Sequence, residues 1–136
     1  MYLEQNFKNI HQQAAQAELW QWRDTAEGRL AEIIVLDQFS RNLYRDSPKA
    51  FAQDALAIEL AQEAIHLGLD QKLTEDYRKF LYMPFMHSES KIIHEQALKL
   101  FQDLGNPINL DFEIKHKVII DRFGRYPHRN QVLGRP

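Results

Sequence analysis

The run Ile33-Ile34-Val35-Leu36 constrains this chain more than any other stretch, because four consecutive large apolar residues leave a helix no polar face. Such a helix belongs at the centre of a packed structure. Asp24-Thr25-Ala26-Glu27 reads as the capping box that starts it, and the helical pattern runs to Leu43. A central helix needs neighbours, and the remaining sequence supplies them.

A first helix is predicted over residues 4–21, with Phe7, Ile10, His11, Ala14, Ala17 and Leu19 toward one side. Ser47-Pro48 sets an N-cap with proline at the first helical position, and Gly68 closes a helix of about twenty residues. Ala50, Ala57, Ala61 and Ala64 share a stripe of that helix with Asp54, a spacing of small residues that admits a close neighbour. Thr74 caps a shorter helix expected to bend or stop near Met83, ahead of Pro84. A further helix spans Glu89 to Leu104 and is closed by Gly105, with Glu89 or Ser88 as its cap. The last covers Leu110 to Phe123, started by Asn109 and stopped by Gly124. No stretch alternates with period two over the length a sheet requires. The expected fold is therefore all-α, with about six helices packed as antiparallel helical hairpins. The 136 residues suit a single domain and are too few for two of ordinary size.

Charge narrows the function classes. With 17 Lys plus Arg against 19 Asp plus Glu the net charge is −2, which disfavours nucleic acid as a partner and a membrane surface as a platform. The absence of cysteine excludes disulfides, Cys-ligated zinc, iron–sulfur clusters and a thiol nucleophile. The polar start and the lack of any long apolar run predict a cytoplasmic protein. The charge is unevenly spread: residues 1–114 carry 11 basic and 18 acidic groups, a net −7, and residues 115–136 carry 6 and 1, a net +5. In that basic strip Arg122, Arg125, Arg129 and Arg135 either lie across the acidic helices as ion pairs or offer forked donors to a phosphate or carboxylate, with His128 beside them.

Stepping along the central helix from Leu30 through Ile33 and Ile34 lands on Asp37 and then Arg41. An acid and a base on an inward stripe need partners, and the four-residue spacing lets them pair with each other or wall a polar pocket. Asn42 follows them, and Asp54 on the alanine stripe has the same two options. His87 and His94 are placed on one helical side by their seven-residue step, but no third ligand stands at diagnostic spacing, so no metal is expected. His94-Glu95-Gln96-Ala97-Leu98 fails the zinc-protease pattern because Leu98 stands where the second histidine belongs. His116 lies in line with Phe112, Ile119 and Phe123 and is expected as a hydrogen-bonded core histidine. There is no Gly-rich phosphate loop, nucleophile elbow or dinucleotide fingerprint, and no cofactor is expected.

Three strings carry a resemblance: Leu36-Asp37-Gln38-Phe39-Ser40-Arg41-Asn42-Leu43-Tyr44-Arg45, Phe80-Leu81-Tyr82-Met83-Pro84-Phe85-Met86-His87-Ser88-Glu89, and Arg122-Phe123-Gly124-Arg125-Tyr126-Pro127-His128-Arg129-Asn130. In this order they resemble the bacterial domain of unknown function 924 family over nearly the whole chain. The resemblance implies a tetratricopeptide-like all-helical fold and assigns no activity. Members of that family usually carry a further N-terminal helical portion and continue past Leu133-Gly134-Arg135, so the chain is expected to lack helices found in its relatives and to expose apolar surface that favours self-association or a homo-oligomer.

These observations lead to a non-enzymatic helical binding module for a peptide, protein or small anionic ligand. Its candidate ligand-binding residues are Asp37, Arg41, Asn42, Asp54, His87, Glu89, His116, Arg122, Arg125, His128 and Arg129. The alternative is an enzyme acting on a small phosphate- or carboxylate-bearing substrate. There Arg41, Arg122, Arg125 and Arg129 would hold the anion, and His87, His128 or Asp37 would act as general acid or base. A third option is purely structural, with every one of these charges paired inside the fold.

Overall fold

A computed structural model describes residues 2–136, with side chains from Gln5 onward, and among them there is no β-strand. Helix α1 spans Tyr2–Ala15, α2 Ala26–Ile34, α3 Ser40–Leu43, α4 Asp54–His66, α5 Glu75–His87, α6 Lys91–Leu104 and α7 Pro107–Phe123. A π-turn, Val35–Phe39, joins α2 to α3 without leaving helical dihedrals, so the two form one rod and the described residues hold six helical bodies. The fold is all-α, as the periodicity predicts.

The rod is central for the reason its sequence gives. Leu30, Ile33, Val35 and Leu36 are buried, and α2 packs against both α4 and α5. Ala57, Ala61 and Ala64 are all but inaccessible, and the absence of bulk there lets α4 lie close to its neighbours. Helices adjacent in sequence then pack in turn, α4 on α5, α5 on α6 and α6 on α7. Leu81, Tyr82, Phe85 and Met86 of α5 meet Ala97, Phe101 and Leu104 of α6 in the same core.

Six element boundaries differ from the sequence expectation, each for a physical reason. Helix α1 ends at Ala15 and not near residue 21. The Ala17 N–H bonds to the Ala14 carbonyl and the Glu18 N–H to the Gln13 carbonyl, a Schellman cap whose left-handed position is filled by alanine, Ala17, at φ 60°. Thr25, one residue later than Asp24, caps α2 by accepting the Gly28 N–H. Ser47 does cap a helical turn, but this is a short 3₁₀ turn over Pro48–Ala50, and α4 starts afresh at Asp54. Between them Phe51 turns its ring under the Arg129 and Arg41 guanidinium groups, so tertiary stacking overrides helix propensity. Helix α5 continues through Pro84 to His87, because the buried Leu81, Tyr82, Pro84, Phe85 and Met86 outweigh the loss of one backbone hydrogen bond near a helix end. Finally Ser90 caps α6, while Asn106, followed by proline at the first position, caps α7 through the Ile108 and Asn109 N–H groups.

Helix α2 also requires a glycine at a close backbone approach. A Cβ on Gly28 would lie 1.9 Å from the Trp22 carbonyl oxygen. Alanine ordinarily improves a helix interior by about 1 kcal/mol. Here Gly28→Ala is expected to destabilise by about 1–3 kcal/mol, because the Trp20–Asp24 turn must be displaced. Urea unfolding checks this, and a midpoint equal to or above that of the parent would contradict it.

Candidate functional site

The candidate site starts from the irregularity in the central rod. π-Turns within α-helices are frequent at functional sites, and this one carries Asp37, whose side chain is 1% exposed. A carboxylate so buried is costly unless hydrogen-bonded. Three donors answer it: Arg41 Nη1 at 3.0 Å and His87 Nδ1 at 2.7 Å on Oδ1, and Gln38 Nε2 at 2.9 Å on Oδ2. The i,i+4 pairing of Asp37 with Arg41 is thus formed. Arg41 also reaches across to α4, where its two terminal nitrogens meet the two Asp54 oxygens at 2.9 and 3.0 Å. Asp54 opens α4, at the helix end that favours negative charge.

His87 arrives at this carboxylate because α5 runs on past Pro84 for one more turn. Asp37 Oδ1 already accepts from Arg41 and serves as acceptor for both neighbours, which places the shared proton of the 2.7 Å contact on His87 Nδ1. In the neutral imidazole Nε2 then holds a lone pair, and among the described residues no group donates to it.

Arg129 closes the cluster from the C-terminal segment. Its side chain is 7% exposed and its guanidinium lies between the Phe51 and Tyr126 rings, 4.4 and 4.7 Å from their centroids. Nη2 donates to the His87 carbonyl at 2.9 Å. Nε is buried without a partner, and the nearest carboxylate oxygen to Nη1, on Asp54, is 3.9 Å away, beyond hydrogen-bond length. Burial first, and the Arg41 charge second, lower the Arg129 pKa, although a guanidinium stays charged at neutral pH.

These groups border a cleft of about 340 Å³ with Phe51, Ile58 and Leu133 on its apolar side and His87, Glu89 and Arg129 on its polar side. A larger groove of about 480 Å³ between α4 and α6 has only exposed residues as its polar lining, Gln62, His66, Gln96 and Lys99, and so holds no fixed polar group. The smaller cleft carries fixed polar groups. Glu89 does not cap α6. It takes the Arg135 fork at 2.8 and 3.0 Å and the Tyr126 N–H at 2.7 Å. Burial alone would raise its pKa, but the Arg135 and Tyr126 hydrogen bonds and the Arg129 charge together hold it below the usual carboxylate value.

Behind the cleft lies a cluster the periodicity does not reveal. His94 and Glu113 are both fully buried and share a 2.8 Å hydrogen bond between Nδ1 and Oε2. His94 Nε2 lies 2.6 Å from the Ser88 carbonyl and 2.9 Å from the Tyr126 hydroxyl, which itself donates to the Met86 carbonyl. Both acceptors on that side require a proton on Nε2, so the proton between Nδ1 and Oε2 makes the pair either an ion pair or its neutral tautomer. Burial, followed by the Glu113 charge, pushes the Tyr126 hydroxyl pKa up.

Other sequence candidates fall outside the cluster. Asn42 is exposed on α3. His116 is not a core histidine: it is half-buried, bonded through Nδ1 to the Phe112 carbonyl, while Phe112 and Phe123 are about half exposed. The packed face of α7 is instead that of Glu113 and Ile120. Arg122 lies over the Phe123 ring and Arg125 donates to the Pro136 backbone oxygen, and among the described residues neither pairs with an Asp or Glu side chain. His128 is exposed beside Tyr126, its pKa lowered by burial and then by the neighbouring Arg129 and His116. His87 and His94 do not share a helix side, since α5 ends at His87 and α6 begins at Lys91. Among the described residues no group of three His, Asp or Glu side chains is placed to hold a metal ion, and no helix is long and apolar enough to cross a membrane. Phe51 and Tyr126, the walls around Arg129, are not among the candidates; Tyr126 lies inside the third of the strings that carry the resemblance, and no motif marks Phe51.

No curated protein matches the sequence. A solved structure of a protein of unknown function from Agrobacterium tumefaciens superposes with a TM-score of 0.94 at 41% identity, covering 99% of this chain and 76% of that one. The model of the family described as "Bacterial protein of unknown function (DUF924)" matches residues 1–136, the whole sequence. With the fold shared and the match complete, the chain belongs to the bacterial DUF924 family.

Proposed function

We propose that the protein is a helical binding module whose cleft takes an anionic ligand, and that Arg129 receives the ligand's carboxylate. One observation carries this reading: a guanidinium 7% exposed, clamped between two rings, with Nη1 making no hydrogen bond among the described residues. Holding such a group still before the ligand arrives lowers the entropy lost on binding. The other arginines near the cleft are spent, Arg41 on Asp54 and Asp37, and Arg135 on Glu89. The apolar wall of Phe51, Ile58 and Leu133 suits a branched aliphatic group attached to the acid.

Isothermal titration with N-acetyl-leucine and with N-acetyl-leucinamide, which lacks the carboxylate, tests this. The acid is expected to bind and the amide not, and Arg129→Lys is expected to weaken the acid about tenfold by losing the planar fork. Arg125→Ala, outside the cleft, serves as the control with unchanged affinity. Equal binding of acid and amide, or no binding of either, would sink the reading.

A further inference from the structure

The cleft offers an acceptor as well as a donor, and the acceptor's identity is fixed by groups that never touch the ligand. Asp37 Oδ1 receives both Arg41 and His87 Nδ1, so the His87 ring is held in the tautomer that leaves Nε2 as a lone pair. Arg129 Nη2 grips the backbone carbonyl of the same His87 at 2.9 Å, which ties the free guanidinium nitrogen and the free imidazole nitrogen to one residue. Both residues, His87 and Arg129, border the cleft. A ligand that places its carboxylate on Arg129 therefore has a hydrogen-bond acceptor beside it.

We infer that this site, given the carboxylate reading above, selects acids whose α-carbon bears an N–H or O–H, and that His87 Nε2 receives that proton in a hydrogen bond. Two ligand sources share the chemistry: a peptide C-terminus, whose last N–H stands on the α-carbon, and a free 2-hydroxy acid. A simple alkanoate of the same shape satisfies Arg129 and leaves Nε2 buried without a donor. A site built to hydrogen-bond a polar group discriminates against the analogue lacking it, because its own polar atom is then stranded. His87 is in this account a selectivity residue and Asp37 a positioning residue that fixes its tautomer.

Three acids with one side chain separate the possibilities in calorimetric titration against the whole chain: N-acetyl-leucine, 2-hydroxy-4-methylpentanoate and 4-methylpentanoate. The inference expects at least one of the first two to bind about tenfold or more tightly than the third. Preference for N-acetyl-leucine identifies the peptide end as the source, and preference for the hydroxy acid identifies the small molecule. His87→Phe is expected to erase the preference while 4-methylpentanoate binds as before. The wild-type comparison stands even if that variant fails to fold. Equal affinity for all three acids overturns the inference and leaves the carboxylate reading intact, and no binding of any of them overturns both.

Discussion

Replacing His94 by alanine is expected to cost about 3–5 kcal/mol, because removing one member of the buried His94–Glu113 pair strands the polar atoms of the other. The partner left behind, Glu113, has no exposed surface, and its Oε1 already lacks a hydrogen bond. Losing His94 strands Oε2 as well and leaves the Ser88 carbonyl and the Tyr126 hydroxyl without their shared donor. Such a loss is a large part of the total stability of an ordinary domain, about 5–15 kcal/mol. The effect comes from stranding and not from any large net worth of the pair. His94→Leu combined with Glu113→Met is accordingly expected to recover most of the loss, because a well-packed apolar pair replaces both polar groups. Urea unfolding of the singles and the double measures this. Additive losses, or a single-variant cost under about 1 kcal/mol, would contradict the assigned burial.

Asp37→Ala is the second large effect, expected at about 2–3 kcal/mol. It removes the acceptor of three side chains at once, but Arg41 keeps both oxygens of Asp54, so the cost stays below that of the His94 pair. Asp37 and His87 touch, so their alanine substitutions are expected to be non-additive, with a coupling of about 0.5–3 kcal/mol. Asp37→Ala also releases the imidazole from its tautomer. It should therefore lower the preference for N-acetyl-leucine or the hydroxy acid even under conditions where the variant remains folded. A variant that keeps both parental stability and parental selectivity would show that Asp37 positions nothing.

The class of the fold was legible because helix caps and apolar periodicity coincide along most of the chain. Gly68, Gly105 and Gly124 all close helices in the left-handed conformation, as their placement implies. Ala17 does the same with no glycine to announce it, so α1 was overextended. The break at Phe51 depends on two arginines distant in sequence, and no local signal marks it. Within the site, Asp37 and Arg41 were legible as polar residues on an apolar stripe. Their convergence with Asp54, His87 and Arg129 was not, since it joins three helices and the C-terminal segment through tertiary packing. Glu113 misleads differently: a fully buried acid reverses the apparent polarity of α7, so Phe112 and Phe123, which the sequence aligns with His116 and Ile119 on a core face, point outward. In the basic strip the ion-pair reading holds for Arg135, and the anion-binding reading rests on Arg129 as a proposal. Arg135 pairs with Glu89, and Arg129 keeps unspent donors.

Nitrogen-15 chemical shifts of the His87 ring at a pH where the imidazole is neutral test the central arrangement most directly. The account predicts a protonated Nδ1 and an unprotonated Nε2, with the Nε2 resonance moving toward the hydrogen-bonded range when N-acetyl-leucine or 2-hydroxy-4-methylpentanoate is added. A ring protonated on Nε2, or averaging between the two tautomers, would mean that Asp37 does not hold His87 and that the cleft has no fixed acceptor to offer.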